Sequence, residues 1–471
     1  MSKKTENYNL LVENWIPVLW NNGTYERIGI LDALTKSRRI RQIAASNPMD
    51  RVAIIRFLLA LLYWCKGNPT ENSESNYGNS FPEEWFTKLN DHKDCFNLLG
   101  EGKRFYQVCY AKRIRAATDL IQEIPTGNNF WHTRHSTDNI DGLCSSCCAM
   151  GLLRLPLFSV SGLPDLKAGI NGTPPIYIIP YGISLFETLQ ANWLQNNLFG
   201  QPSWLQPDIQ LSQEEDVPIL TGLTLLSRLV WLHDPIEPSG ICMGCGTRKN
   251  KLIRTCMFQS AGEQKNDRWN DPHVFYLDIS PRKALKANDP TASGKFRMDK
   301  PWNDIFINLI NYGMIRFKNN QKYFHVVGFA TDKAKNIDVW ERIIYMPLKE
   351  SIQNLSDNQI YQWWKEGGKI DRKIAKIVRS RKESTAIISM IRPQIENNVS
   401  VKLEKLITST ESEWEKASVE YRPMMSAVAK SLSPGFTTEA LQRRQQIAFI
   451  TPNMRTQTKS DEKNPQKNGD E

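Results

Sequence analysis

Two short cysteine motifs carry the clearest chemistry in this sequence: Cys144-Ser-Ser-Cys147 and Cys242-Met-Gly-Cys245-Gly246. Two thiolates separated by two residues can face one metal ion, because the chain between them folds into a tight knuckle. Glycines in that knuckle let backbone amides turn toward the sulfurs. Two such pairs supply the four ligands of a tetrahedral zinc site, and a closed four-thiolate shell leaves no position open for water, so the metal is expected to be structural. Residues 148–241 separate the pairs, far more than the roughly 15 to 20 residues of a local zinc ribbon. The site must therefore close through the tertiary fold. Alternatives remain at this level: Cys148 in place of a neighbour, a mixed site using His132 or His135, buried free thiols, or redox use.

Other constellations fall short of a catalytic site. His233-Asp234 lacks a second ligand set at a recognisable spacing. A zinc deaminase needs His-x-Glu and a proline before its cysteine pair, whereas Leu143 precedes Cys144 and no His-x-Glu occurs. Ser293-Gly-Lys295 has Asp289 where a phosphate-binding loop requires its first glycine. Pro164-Asp165 has no Glu-x-Lys at the distance a metal nuclease uses. The chain is expected not to be an enzyme.

Sixty Lys and Arg against fifty Asp and Glu give a net charge of +10, which favours a polyanionic partner, with a merely soluble basic surface as the alternative. Basic residues cluster at Lys36 to Arg41, Lys112 to Arg115, Arg248 to Arg254 and Lys365 to Lys382. On a helix, Lys369, Arg372, Lys376 and Arg379 share one face and would track a phosphate backbone, or form an ordinary solvated face. Arg248, Lys249, Lys251 and Arg254 follow the second knuckle and are expected to be held rigidly by it. No secretory signal is read at the start, and the apolar run from Ala53 to Cys65 contains Arg56 and is shorter than the roughly 20 residues of a bilayer span. Paired cysteines that suit a metal imply a reducing compartment, a cytoplasm, and no membrane contact is expected.

The elements that must position these residues are legible in part. Leu10 to Trp20 and Tyr25 to Ile30 read as two strands joined at Asn21-Asn22-Gly23. Asn47 is an N-cap with Pro48 in the first turn, and the helix to Lys66 stops at Gly67-Asn68-Pro69, apolar on nearly every side. Short apolar runs at Ile176 to Ile179, Val274 to Leu277 and Tyr323 to Phe329 lie among many Gly, Pro, Asn and Asp. The fold class is α+β: a large, irregular mixed domain over 1–346 with long loops and the zinc site, then a helical bundle over 347–447 and a disordered tail over 448–471.

Several pieces occur together in order: Asn9-Leu-Leu-Val-Glu-Asn-Trp15-Ile-Pro-Val18, the helix from Pro48 to Leu62, the two knuckles, and Gly169-Ile-Asn-Gly172-Thr-Pro174. The set resembles the large subunit of the type I-E CRISPR Cascade complex, the CasA family, over roughly residues 8 to 345. The resemblance implies a subunit that joins a guide-RNA backbone, a subunit capping the 5′ end of the guide, small subunits and CRISPR RNA. It also implies probing of double-stranded DNA from the minor groove for a protospacer-adjacent motif, help in opening the duplex, and recruitment of an effector nuclease. By resemblance, Asn129 and Phe130 lie in a DNA-contacting loop, and Gly162 and Asp165 lie in the counterpart of a glycine-rich loop. Lys265 stands as a lysine finger, while Asp332 and Lys333 lie in the wedge, where the family commonly has glutamine. The competing classes are a zinc-dependent nucleic-acid-processing enzyme and a zinc-stapled scaffold that binds only protein.

Overall fold

The computed structural model describes residues 7–69, 80–122, 142–159, 167, 169–172, 323–332, 335–345, 426, 430 and 437–449, together with 176–275 apart from 213, 263, 265, 267 and 270. In chain order come β1 (Tyr8–Asn9), β2 (Ile16–Trp20), β3 (Tyr25–Ile28), α1 (Ile30–Thr35), β4 (Ile40–Ile43) and α2 (Pro48–Lys66). Next are α3 (Thr87–Asp91), β5 (Asn97–Leu99), β6 (Arg113–Ala116), α4 (Ser145–Arg154), β7 (Ile176–Tyr181), α5 (Leu185–Asn192) and α6 (Ile219–Thr224). Then follow β8 (Arg228–Leu232), β9 (Gly240–Ile241), β10 (Arg248–Lys249), β11 (Thr255–Ser260), β12 (Val274–Phe275), β13 (Tyr323–Asp332) and β14 (Lys335–Tyr345). The last described helix is α7 (Thr438–Ala448), capped by Thr437, whose side chain accepts from the Ala440 amide.

The chain divides into two compact units, residues 1–296 with 302–346, and residues 297–301 with 347–471. In the first, α2 is the organising element. Asn47 Oδ1 accepts from the Met49 amide at 2.8 Å, Pro48 opens the first turn, and Gly67 ends the helix at φ 81°. That left-handed backbone angle is one only glycine adopts at little cost. Every residue from Met49 to Trp64 except Arg51 is buried, because α4, α5, α6, β4 and the β13–β14 hairpin all pack around it. A helix that is apolar on all sides has no solvent face to offer.

The sheets are antiparallel and four-, three- and two-stranded, and those holding β4 and the β13–β14 hairpin pack on this helix. Their strand orders are β12-β7-β13-β14, β6-β11-β8, β3-β2-β4, β1-β5 and β10-β9. The hairpin over the Asn21–Gly23 turn is present, with Gly23 at φ 85°. Its first strand begins at Ile16, not at Leu10. Asn9 is the cause: its side chain accepts from the Leu11 amide at 3.0 Å and its carbonyl accepts from Glu13 at 2.9 Å, bending residues 10–14 into a turn. Leu10 and Leu11 in that turn are buried all the same, while Val12 is exposed, and Trp15 Nε1 donates to the Leu10 carbonyl at 2.9 Å. The segments Lys369 to Met390 and Val401 to Val419, read as bundle helices, and the tail from 451 lie outside the described residues. No helix among the described residues is long and apolar enough to cross a membrane.

Candidate metal centre and nucleic-acid interface

Cys144 occupies the N-cap position of α4 and Cys147 its first turn, where exposed helix amides favour a thiolate. Cys242 and Cys245 sit on the knuckle between β9 and β10, drawn tight by Cys242 N donating to Thr247 O at 2.9 Å and Gly246 N to Cys242 O at 2.8 Å. The two knuckles are zipped by backbone as well. Met243 N donates to Gly142 O at 3.0 Å, and Leu143 and Ile253 exchange bonds of 2.9 and 2.8 Å.

The four sulfurs lie within 4.8 Å of one another. Cys144 and Cys245 are 3.9 Å apart at Sγ, while a tetrahedral zinc with bonds of about 2.3 Å needs sulfurs about 3.8 Å apart. The donor set and spacing fit such an ion. Gly244 is required by this approach, since a Cβ there would stand 2.8 Å from Cys147 Sγ. The Cys144 amide donates to Cys242 Sγ at 3.2 Å, and Thr247 Oγ1 lies 2.7 Å from Cys245 Sγ, the outer contacts that orient thiolate ligands.

Crowding four thiols splits their acidities. Hydrogen bonds from Cys144 and Cys147 pull Cys242 far below the usual thiol range, and a bond from Cys147 helps bring Cys245 down to about 5 despite burial. Cys147 is pushed up, first by its bond to Cys144 and then by those to Cys242 and Cys245. Cys144 rises to about 11, because a bond from Cys147 is outweighed by its bond to Cys242 and by burial. A shared cation would favour thiolate at all four positions.

Among the described residues this is the group of Cys, His, Asp and Glu that can hold a metal ion, and Cys148 is not part of it. One residue further along α4, Cys148 faces away into the core, fully buried, and burial holds its thiol well above the usual range. His132 and His135 lie outside the described residues. His233 and Asp234 serve the fold: the ring Nδ1 meets Thr255 Oγ1 at 2.7 Å, and the carboxylate pairs with Arg104 at 3.3 Å. The basic run after the second knuckle is only partly a surface. Arg248, Lys249 and Lys251 are exposed, whereas Arg254 is buried and donates to Pro238 O at 2.6 Å, which removes it from any interface.

Of the residues assigned to DNA, Asn129, Phe130, Gly162, Asp165, Lys265 and Lys333, read by resemblance, and Lys369, Arg372, Lys376 and Arg379, read from helical spacing, lie outside the described residues. Their anchors are visible. Asp332 closes β13 in register with Lys335 of β14. Gln264 and Asn266, on either side of Lys265, are buried, and Asn266 Nδ2 donates to Ser212 O at 2.8 Å.

The Gly169–Gly172 turn is fastened through Asn171, which donates to Tyr177 Oη at 3.1 Å and to Asp271 Oδ2 at 2.9 Å. Asp271 in turn receives Arg56 of α2 through two bonds of 2.6 and 2.7 Å, and Arg56 Nη1 also lies 2.8 Å from His273 Nδ1. Burial pushes the Asp271 carboxyl up, and the Arg56 charge beside it outweighs this and holds it low. Asp271 and His273 were invisible to motif reading. The available signal was Arg56 itself, since a cation inside an apolar helix requires a buried partner.

A protein of this mixed α/β build, with a four-cysteine centre joining distant segments, has close counterparts in fold. Thermus thermophilus CasA (Cse1) aligns at a TM-score of 0.66 and 17% identity, covering 94% of this chain and 98% of that one. Thermobifida fusca Cse1 aligns at 0.64 and 15% identity over 94% and 97%. A chain of a CRISPR RNA-guided surveillance complex aligns at 0.61 and 13% identity over 94% and 99%. In sequence, CRISPR-associated protein CasA/Cse1 of Thermus thermophilus is 27% identical over 236 residues, 46% of this chain and 47% of that relative, so the match spans about half of the relative's length. Residues 9–304 match the family model of CRISPR-associated protein Cse1, and the chain belongs to that family.

Proposed function

We propose that this chain is the large subunit of an RNA-guided Cascade surveillance complex of type I-E. The observation that carries the reading is membership of the Cse1 family, supported by a fold shared with a chain of an RNA-guided surveillance complex. In this role it joins the guide-RNA backbone, the 5′-end cap subunit, small subunits and CRISPR RNA, and it reads the protospacer-adjacent motif of double-stranded DNA from the minor groove. It then helps open the duplex and recruits the effector nuclease. Base pairing with the guide supplies sequence specificity, so the subunit needs no turnover of its own. Zinc held by Cys144, Cys147, Cys242 and Cys245 is structural, because four thiolates fill its shell.

The mixed domain is residues 1–346, the helical bundle 347–447 and the tail 448–471. In the mixed domain Asn129 and Phe130, Gly162 and Asp165, Lys265, and Asp332 with Lys333 meet the minor groove. Lys369, Arg372, Lys376 and Arg379 follow a phosphate backbone. Held residues near them in the chain support these assignments: Asn171, which follows Gly162 and Asp165 in sequence, bonds the buried Asp271, and Gln264 and Asn266, the sequence neighbours of Lys265, are buried. Such pre-organisation lowers the cost of entering a groove. Lys333 donates without accepting, unlike the glutamine usual in the family, and this difference is expected to alter motif preference.

Co-expression with the neighbouring Cascade subunits tests the reading. The expected result is recovery of this chain with guide RNA of uniform length, and target binding that depends on the flanking trinucleotide. A chain that stays alone, or a complex indifferent to the flank, refutes it.

A further inference from the structure

Two clusters of matching chemistry stand along α2, each an arginine of the helix with an acid, a histidine and a tyrosine. The first is Arg56 with Asp271, His273 and Tyr177. The second is Arg51 with Glu341 of β14, His325 of β13 and Tyr181 of β7. Arg51 Nη2 donates to Glu341 Oε2, and His325 Nε2 meets the same oxygen at 2.7 Å. The Tyr181 ring stands edge-on to His325 at 5.4 Å and stacks on Tyr323 at 5.1 Å. Arg51 is fixed through its other terminal nitrogen too, donating to the Ala45 carbonyl at 2.6 Å. Burial holds the His325 ring below its usual range, which leaves Nε2–H as the donor to Glu341. The bond from His325, aided by Arg51, brings the Glu341 carboxyl down to about 2 despite partial burial.

The position of Glu341 in its sheet decides what this second cluster does. β7 pairs with β13 from Tyr323 to Val327, and Val327 is also the partner of Glu341. Beyond that rung, among the described residues, β13 pairs with β14 alone, as far as Asp332 opposite Lys335. Phe329 still packs on Phe158, with ring centroids 6.3 Å apart, and the register shifts between Ala330 and Thr331. A two-stranded ribbon has little stability of its own, and such an irregularity bends it. Its direction is therefore set where it leaves the sheet. Five residues at about 3.3 Å each carry the tip about 16 Å beyond Glu341, so a tilt of about 10° at that rung would displace it by about 3 Å. The side chains of Arg51 and Glu341 are 19% and 42% exposed, and a pair so open to water adds little to global stability. Its contribution is to direction.

We propose that Arg51 and Glu341 are positioning residues: by fixing the last rung that the hairpin shares with β7, they aim its tip, with Asp332 and Lys333, at the base step where the duplex opens. The inference rests on the Cascade reading. His325 completes the clamp from the neighbouring strand.

The test uses the complex assembled with the neighbouring Cascade subunits and guide RNA, on two targets: a fully paired duplex, and the same duplex left unpaired from the flanking motif onward. Glu341→Ala and Arg51→Met are each expected to slow binding to the paired target by about tenfold and to stay within about twofold of the parent on the pre-opened one, the scale of effect for a residue that acts through another. The double variant is expected to be no slower than either single one, because both break the same contact. Glu341→Gln keeps an acceptor for His325 and Arg51 and is expected to recover most of the loss. In the isolated chain, amide exchange across Tyr323–Asp332 and Lys335–Tyr345 is expected to quicken in Glu341→Ala, while residues 169–172 keep their rate. Equal loss on both targets, which a general loss of stability produces, overturns the proposal. So do parent rates on the paired target for both single variants, additive effects in the double variant, or unchanged hairpin exchange. A parent complex indifferent to the flank is instead the failure of the Cascade reading, told apart because hairpin exchange in the isolated chain still follows Glu341.

Discussion

Replacing Asp271 by alanine isolates the interaction that ties α2 to the Gly169–Gly172 turn. Arg56 is 1% exposed and Asp271 0%, and their side chains meet through bonds of 2.6 and 2.7 Å with the Tyr177 ring 5.0 Å from the guanidinium. Asp271→Ala leaves the guanidinium in the core without its carboxylate, a loss of about 3 to 5 kcal/mol. It also removes the acceptor of Asn171, a further hydrogen bond of about 1 kcal/mol. Against a total stability of about 5 to 15 kcal/mol, the variant should unfold at a much lower urea concentration. The fourteen tryptophans provide the fluorescence signal, and amide exchange at α2 and residues 169–172 reports the same loss locally.

The double variant Arg56→Met, Asp271→Leu carries no buried charge and should recover most of the deficit, because apolar replacement of a buried pair is close to neutral. A single-variant cost below about 1 kcal/mol, or a double variant no better than the single, would show that the pair is not desolvated as argued.

Metal analysis of the purified chain should give one zinc per molecule. Cys147→Ser should lose it and lower the thermal midpoint, and Cys148→Ser should keep it; retention by the first or loss by the second contradicts the ligand assignment. Burial and the neighbouring Arg56 hold His273 down at about 3, against about 6.5 in the unfolded chain. Between those values the unfolded state binds the extra proton, so stability is complete above about pH 6.5. It should fall as pH drops toward 3, by up to about 1.4 kcal/mol per pH unit. Urea midpoints measured from pH 7.5 to 5 should show this slope, and His273→Gln should flatten it. Gly222→Ala would set a Cβ 2.3 Å from the Trp269 ring, an overpacking cost of about 1 to 3 kcal/mol visible in urea titration; an unchanged midpoint would mean the ring moves freely.

Local chemistry was legible wherever it is settled by neighbours in the chain. Asn47, Pro48 and Gly67 bound α2 because capping and backbone angle depend on a few adjacent residues. Asn21 to Gly23 make a turn for the same reason. The strand expected from Leu10 failed because Asn9 offers its side chain and carbonyl to the next amides, a competition that apolar patterning does not register. The cysteine pairs announced a metal site but not its closure. Cys147 and Cys148 are equivalent in spacing arguments, and only the helical rotation of α4 turns one sulfur toward the knuckle and the other into the core.

Arg254 likewise looks like its basic neighbours in sequence and is buried, donating to the Pro238 carbonyl. The pairing of Arg56 with Asp271, and that of Arg51 with Glu341, belong to the tertiary structure alone. Contacts between residues this far apart in the chain are set by how elements pack, and no spacing rule along the sequence encodes them.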